Sequence, residues 1–200
     1  MRVLLHICCA ACAIEPFEKL TREGHEAGGL FFNPNIHPLI EFRRRMKALK
    51  VLQERIPLPV AYEEAYGLAD WLSAVRWGGS REERCADCYR LRLGRAAEVA
   101  ARDGHDAFAT TLLSSTHQDH AVIRAVGEEC GQTHGVEFLA EDWRPLAERG
   151  HERARQMRLY LQNYCGCVFS EWERFRDTNL HVYRGQGPAG GPPSQPPDRA

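Results

Sequence analysis

Apolar positions along the 200 residues fall into two periods. Val3–Ile7, Ala27–Phe32, Leu58–Tyr62, Asp106–Leu112 and Val136–Ala140 are short, mostly apolar runs bounded by polar or turn-forming sequence, and each reads as a strand. Between them apolar residues recur at intervals of three and four, the spacing of a helix with one buried face. Ala10 to Glu23 carries Ile14, Phe17 and Leu20 on one face and stops at Gly24. Pro16 fits this helix in its first turn, where a missing N–H is not needed. Leu39–Ile56 repeats Phe42, Met46, Leu49 and Leu52 and ends at Pro57.

Further helices are expected over Leu68–Val75, Cys88–Arg102 (Leu91, Ala96 and Val99 inward), Asp119–Cys130, Glu148–Leu161 and Val168–Arg176. Trp77 to Arg84 reads as a loop delivering Cys85. From Arg184 onward Gly, Pro, Ser and Gln carry no period. The expectation is one α/β domain over residues 1–183 and a disordered tail over 184–200.

A β-α-β-α order predicts a parallel sheet of about five strands with helices on both faces. Ligands of such sheets bind beyond the carboxyl ends of the strands. Cys8 and Cys9 follow the first strand, Asn33 to Asn35 the second, and Thr110 to Ser115 the fourth. All would share one edge, so a single site is expected there.

With 44% hydrophobic and 26% charged residues the chain can bury an ordinary core, and its net charge of −1 gives no global attraction to nucleic acid. No apolar run approaches a membrane span, and the run at 3–5 is too short for a signal peptide. The expectation is a cytoplasmic protein with no membrane partner. In a reducing compartment eight cysteines are poor candidates for a disulfide framework, so metal or catalysis leads.

Seven of them are grouped: Cys8, Cys9 and Cys12; Cys85 and Cys88; Cys165 and Cys167. Cys130 stands alone and reads as a small buried hydrophobe. Thiolates suit zinc or iron–sulfur clusters. Cys85-Ala-Asp-Cys88 at a helix start brings two sulfurs near one metal, with the helix N-terminus helping to keep them ionised. Gly166 lets the backbone fold so that Cys165 and Cys167 point one way or toward two metals. Adjacent Cys8 and Cys9 more naturally serve different centres. A four-cysteine site leaves three of the seven over, which suggests a second metal with an open position. A structural zinc site and a Cys85/Cys88 redox pair are the alternatives.

In order along the chain come Cys8-Cys9-Ala-Ala-Cys12; Phe32-Asn-Pro-Asn-Ile-His-Pro38 with Glu41 and Arg45; Arg84-Cys85-x-x-Cys88-Tyr89-x-x-Arg92-Leu93; Thr110-Thr-Leu112; and Tyr164-Cys165-Gly-Cys167. Together, over residues 1–175, they resemble the QueH family of epoxyqueuosine reductases. The resemblance implies a fold like the adenine-nucleotide α-hydrolase (HUP) group, here as a catalytic domain. It implies reduction of the epoxide of epoxyqueuosine to the cyclopentene at the wobble position of tRNA with a GUN anticodon, oxygen leaving as water. It also implies a [4Fe–4S] cluster, a neighbouring mononuclear iron, no cobalamin and an external electron donor.

Carried over, Cys8, Cys9, Cys85, Cys88, Cys165 and Cys167 are metal ligands. Cys12 stands where some members have an aspartate as a ligand of the lone iron. The division expected is Cys9, Cys85, Cys88 and Cys167 for the cluster, and Cys8, Cys12 and Cys165 for the iron. The latter three are expected to be catalytic, together with Glu41, which would pair with Arg45 four residues on. Phe42 replaces a tyrosine usual in the family, and Ser114-Ser-Thr-His-Gln118 lacks the expected Ser-Pro and lysine.

Proton donors by position are His6, Glu15, His37, Glu41 and His117. Phosphate contacts would come from Arg43, Arg44, Arg45, Lys47, Lys50 and Arg55, or from Arg144, Arg149, Arg153, Arg155 and Arg158. Tyr89, Trp77 and Tyr164 are candidates to hold an unstacked base. Two rivals remain. An ATP-dependent tRNA-modifying enzyme of the same fold needs a Ser-Gly-Gly-x-Asp-Ser type loop after the first strand, and Cys-Cys-Ala-Ala-Cys stands there instead. A zinc-stabilised nucleic-acid-binding module would use the same cysteines without redox chemistry.

Overall fold

The computed structural model describes residues 1–178. The expected domain end at 183 and the tail at 184–200 lie outside the described residues. Within them the elements are β1 (Arg2–His6), α1 (Ala10–Arg22), β2 (Glu26–Phe31), α2 (Leu39–Gln53), β3 (Val60–Tyr62), α3 (Leu68–Ala74) and α4 (Arg81–Arg102). β4 (Ala107–Thr110), a 3-10 turn (Thr111–Ser114), α5 (His120–His134), β5 (Glu137–Phe138), α6 (Arg144–Gln156) and α7 (Val168–Phe175) follow.

The five strands are all parallel, in the order β3-β2-β1-β4-β5. Every residue of β4, and of β1 after Arg2, is buried. A strand buried on both pleat faces needs helices on both sides, and its sequence reads as a continuous apolar run. α1 packs on α2 and α6, while α4 packs on α3 and α5 and along β1 and β4. Gly150 lets α6 close onto α1, since a Cβ there would meet the Ala11 carbonyl oxygen at 2.7 Å.

The strand order reverses between β1 and β4. The chain builds outward from β1 through β2 to β3, then returns to the other side of β1 as β4. This is where the connections leave in opposite directions and open a crevice at the carboxyl edge.

Several elements depart from the sequence expectation, β5 being only Glu137–Phe138 and α5 running on to His134. α4 begins at Arg81, within the expected loop, because Ser80 and Glu83 form a reciprocal capping box. β4 stops at Thr110, whose side chain accepts from the Leu112 N–H and turns the chain into the 3-10 turn. α6 starts at Arg144, earlier than Glu148, and ends at Gln156, so Met157 to Cys167 run as irregular backbone. Pro16 lies in the second turn of α1 rather than the first. The helix bond it cannot make is the one to the Cys12 carbonyl, near the helix start.

Candidate metal centre

β1 ends at His6, and the chain turns into α1 with Cys9 as the N-cap residue. No side chain caps that helix, so its first N–H groups have no side-chain acceptor. Cys12 returns one turn later. The sulfurs of Cys8, Cys9 and Cys12 all lie within 4.8 Å of one another. Thr111, the first residue after β4, donates its hydroxyl to Cys8 Sγ at 3.3 Å, while the Cys8 N–H donates to Thr111 Oγ1 at 3.1 Å. Gln162 Nε2 donates to Cys9 Sγ at 2.9 Å and lies 3.8 Å from Cys12 Sγ. Hydrogen bonds from Cys12 and Cys9 hold the Cys8 thiol well below the usual thiol range. Burial pushes Cys9 up, and donation toward Cys8 pushes Cys12 up.

The other four thiols line one neighbouring cavity of about 330 Å³. Because α4 begins at Arg81, Cys85 and Cys88 lie in its second and third turns at i and i+3, on one face. Burial is the main cause that lifts Cys85 to about 11 and Cys88 to about 12. Cys165 and Cys167 arrive on the loop before α7, where Cys167 is the N-cap and accepts from the Ser170 N–H at 3.4 Å. Gly166 between them sits at φ +132, a conformation L side chains rarely adopt. A Cβ there would meet Ile36 at 3.1 Å and the Arg45 guanidinium at 3.4 Å.

Among the described residues two buried donors on this cavity wall, Arg92 Nε and Trp71 Nε1, have no oxygen or nitrogen acceptor, and the Trp71 N–H acts on the Cys88 sulfur. Such donors facing four thiols suit an anionic, sulfur-rich occupant. The soft donor set and these N–H donors therefore fit thiolate-bound metal. Cys130 is buried between α4 and α5, apart from all of this.

A second cavity, about 570 Å³, adjoins the first. Cys8, Cys12 and Cys165 open onto it, with Thr111, Ser114, Ser115, His117, His151 and Tyr164 around them. Cys165, His117 and Gln118 border both cavities. The grouping by proximity thus puts Cys9 with Cys8 and Cys12, whereas the division expected from sequence put it with Cys85, Cys88 and Cys167.

Glu41 lines neither cavity. It is 3% exposed, forms an ion pair with Arg45 Nε at 2.6 Å and accepts from the Tyr160 hydroxyl. Arg45 in turn donates to the carbonyls of Cys165, at 2.9 Å, and Tyr164, at 3.0 Å. His6 is sealed between Thr110 and the Phe32 carbonyl, and burial with the Arg92 charge lowers it to about 3. Glu15 pairs with Arg153 and Arg149, and His37 is bound to the Pro34 carbonyl. Of the proton-donor candidates, only His117 borders either cavity.

His151 and Gln162 carry no motif in the sequence: the sulfurs that Gln162 meets lie 153 and 150 residues away, and His151 shares only a cavity with Cys8 and Cys12. His151 occupies one helical turn of α6, the element whose start the apolar period misplaced. Tyr89 is buried and hydrogen-bonded to Gln118, Trp77 is 60% exposed, and Tyr164 borders the second cavity. Arg45 is buried, Arg153 and Arg144 are held by carboxylates, and Lys50 pairs with Glu64. Arg43, Arg44, Lys47, Arg155 and Arg158 remain exposed.

Fold and thiols define an α/β protein with a candidate metal centre at the switch point of a parallel sheet. The chain belongs to the QueH family: residues 3–173 match the family model described as Epoxyqueuosine reductase QueH. It is similar to "Epoxyqueuosine reductase QueH" of Dehalococcoides mccartyi, 33% identical over 178 residues, covering 89% of this chain and 97% of the relative. The protein of the same description from Thermotoga maritima is 34% identical over 194 residues, covering 92% and 97%. The Helicobacter pylori protein is 34% identical over 181 residues, covering 84% of this chain and 49% of its own length. The chain is thus an oxidoreductase of the epoxyqueuosine reductase family. No described helix is long and apolar enough to cross a membrane.

Proposed function

We propose that this chain reduces the epoxide of epoxyqueuosine in tRNA to the cyclopentene of queuosine. The observation that carries the reading is the placement of seven thiols at the switch point of the sheet, three of them opening onto a cavity that histidines and hydroxyls also line. Cys85, Cys88, Cys165 and Cys167 would hold a [4Fe–4S] cluster, and Cys8, Cys9 and Cys12 a single iron. Bound there, the two would supply one-electron transfer from an external donor and a Lewis acid.

The reaction consumes two electrons and two protons, and the oxygen leaves as water. The protein's own share is to seat the nucleoside and deliver the protons. His151 Nδ1 lies 2.7 Å from the Ala147 carbonyl and donates to it. Its second proton, on Nε2 of the imidazolium, is then the one available to the cavity. His117, across the same cavity, is the second donor in this reading. Hydroxyls of Ser114, Ser115 and Thr111 suit a diol. Tyr164 offers an aromatic wall for an unstacked base. Glu41 acts through Arg45, which fixes the two carbonyls of the loop carrying Cys165. Exposed Arg43, Arg44, Lys47, Arg155 and Arg158, with Arg174 at the cavity, would meet phosphates. This reading puts the chain in the cytoplasm with its tRNA.

The test is anaerobic iron and sulfide quantification, with an assay on tRNA bearing epoxyqueuosine. Expected are four sulfides with a fifth iron, and conversion to queuosine. A colourless, zinc-loaded, inactive chain would sink the proposal in favour of a nucleic-acid-binding module. Cys9→Ser and Cys165→Ser test the ligand division. In the division proposed here Cys9→Ser keeps all sulfide and loses one iron, while Cys165→Ser loses sulfide.

A further inference from the structure

Arg92 is a buried cation without a carboxylate partner among the described residues. It is 1% exposed, Nη2 donates to Asn33 Oδ1 at 2.8 Å, and Nε has no acceptor. Arg45 and Arg153, which also reach inward, each have a carboxylate, Glu41 at 2.6 Å and Glu15 at 2.9 Å. A guanidinium cannot shed its proton to escape burial, so its charge must be matched by an anion nearby.

Three carboxylates border the same cavity, and none serves. Asp119 accepts from the Val122 N–H at the start of α5, Glu173 faces Arg81 and Arg84, and Glu82 is exposed in the first turn of α4. What faces Arg92 is sulfur. Cys85, Cys88 and Arg92 stand at i, i+3 and i+7 on one face of α4, and all three line the cavity with Cys165 and Cys167. Asn33, which holds the guanidinium, donates to the Ile7 carbonyl at 2.8 Å, the residue before Cys8. Arg92 is therefore pinned between the two thiol groups.

We propose that Arg92 is the shared counter-charge of both thiol groups, a positioning residue that stabilises the more negative, reduced form of the bound metal and so sets its reduction potential. The inference rests on the proposed function. Each electron from the external donor adds one negative charge to a buried centre, and a fixed cation beside it offsets that charge. Arg92 makes no demand on the substrate and needs no contact with it.

The experiment is an anaerobic redox titration of the iron-loaded full chain, followed by electron paramagnetic resonance. The set is wild type, Arg92→Met, Arg92→Lys and Asn33→Ala. Arg92→Met removes the charge; Asn33→Ala breaks the same hydrogen bond and leaves the charge. Arg92→Met is expected to move the midpoint to lower potential, with Arg92→Lys and Asn33→Ala close to wild type at equal iron content. An unmoved midpoint in Arg92→Met overturns the proposal, as does an equal fall in Asn33→Ala, which would make the residue a structural tie.

If Arg92→Met retains no iron, the two charge-keeping variants decide: a lowered midpoint in either overturns the proposal. Thermal unfolding gives a second readout. In the iron-loaded chains Arg92→Met is expected to melt below Asn33→Ala, which breaks the same hydrogen bond and keeps the charge; equal melting temperatures overturn the counter-charge role. A wild-type chain with no iron signal would instead defeat the proposed function, and so is told apart from a failure of Arg92.

Discussion

Thr111 and Cys8 exchange two contacts across the sheet's switch point. The Cys8 N–H donates to the Thr111 hydroxyl oxygen at 3.1 Å, and that hydroxyl donates to Cys8 Sγ at 3.3 Å. The residue after β4 thus fixes the backbone and the sulfur beyond the end of β1. Thr111→Val keeps the shape and removes both. The expected outcome is a folded chain, destabilised by about 1 kcal/mol for the lost bonding, from which a chelator strips iron faster than from wild type. Urea unfolding and chelator kinetics check this, and unchanged kinetics would remove Thr111 from the account of the centre.

The Glu41–Arg45 pair predicts an asymmetry. Glu41→Ala strands a buried guanidinium and should cost about 3–5 kcal/mol. Glu41→Gln, which can still accept from Arg45, should cost clearly less. Denaturant unfolding of the two variants measures the difference; equal losses would mean that the charge on Glu41 is not what holds Arg45.

Gly166→Ala forces a side chain onto backbone at φ +132, against Ile36 and Arg45. A strain of about 1–3 kcal/mol falls on the loop that presents Cys165 and Cys167. Sulfide content after anaerobic reconstitution should drop while far-ultraviolet circular dichroism stays the same. Full sulfide content would refute the loop's dependence on this glycine.

His151→Gln should leave iron and sulfide unchanged and lower turnover by about 10²–10⁴-fold, the usual range for a lost general acid. The assay is conversion of epoxyqueuosine in tRNA. His117→Gln should act in the same direction. Full activity in both variants would put the proton source elsewhere.

His105, after the turn that ends α4, is pushed below the ordinary histidine range, chiefly by burial and then by Arg2. The unfolded chain therefore takes up this proton at a higher pH than the folded one. Its contribution to stability is present above the unfolded pKa of about 6.5 and declines as pH falls toward the lower folded value. His105→Gln should flatten the loss of stability between neutral and mildly acidic pH. Melting temperatures across that window test it, and identical slopes in the two proteins would reject it.

The sheet was legible because β1 and β4 are buried on both faces and so read as unbroken apolar runs. The shared edge followed from the alternation of strands and helices, which puts Cys8 and Thr111 on one side; that β4 lies beside β1 and so brings the two into contact is visible only in the structure. Less was legible where polar residues decide the structure. The capping box of Ser80 and Glu83 stood in the sequence as Ser-x-x-Glu, yet the glycines before it read as loop. Its effect is to put Cys85 on the same helical face as Cys88 and Arg92. Gln162, His151 and Trp71 take their roles from neighbours far away in the chain, and no local period marks such residues. The motif marks Glu41 as catalytic; in the structure it is buried and paired with Arg45, which reaches the Cys165 carbonyl.

Exposure is graded across the thiols. Cys165 is exposed, Cys9 and Cys88 are buried, and Cys8, Cys12, Cys85 and Cys167 lie between. Dioxygen and peroxide meet the mouth first, so oxidation should proceed from Cys165 inward and reach Cys9 last. Air damage in this chain then has a sequence of its own: the sulfur bordering both cavities is the first to be lost, and the one sealed beneath Gln162 is the last to survive.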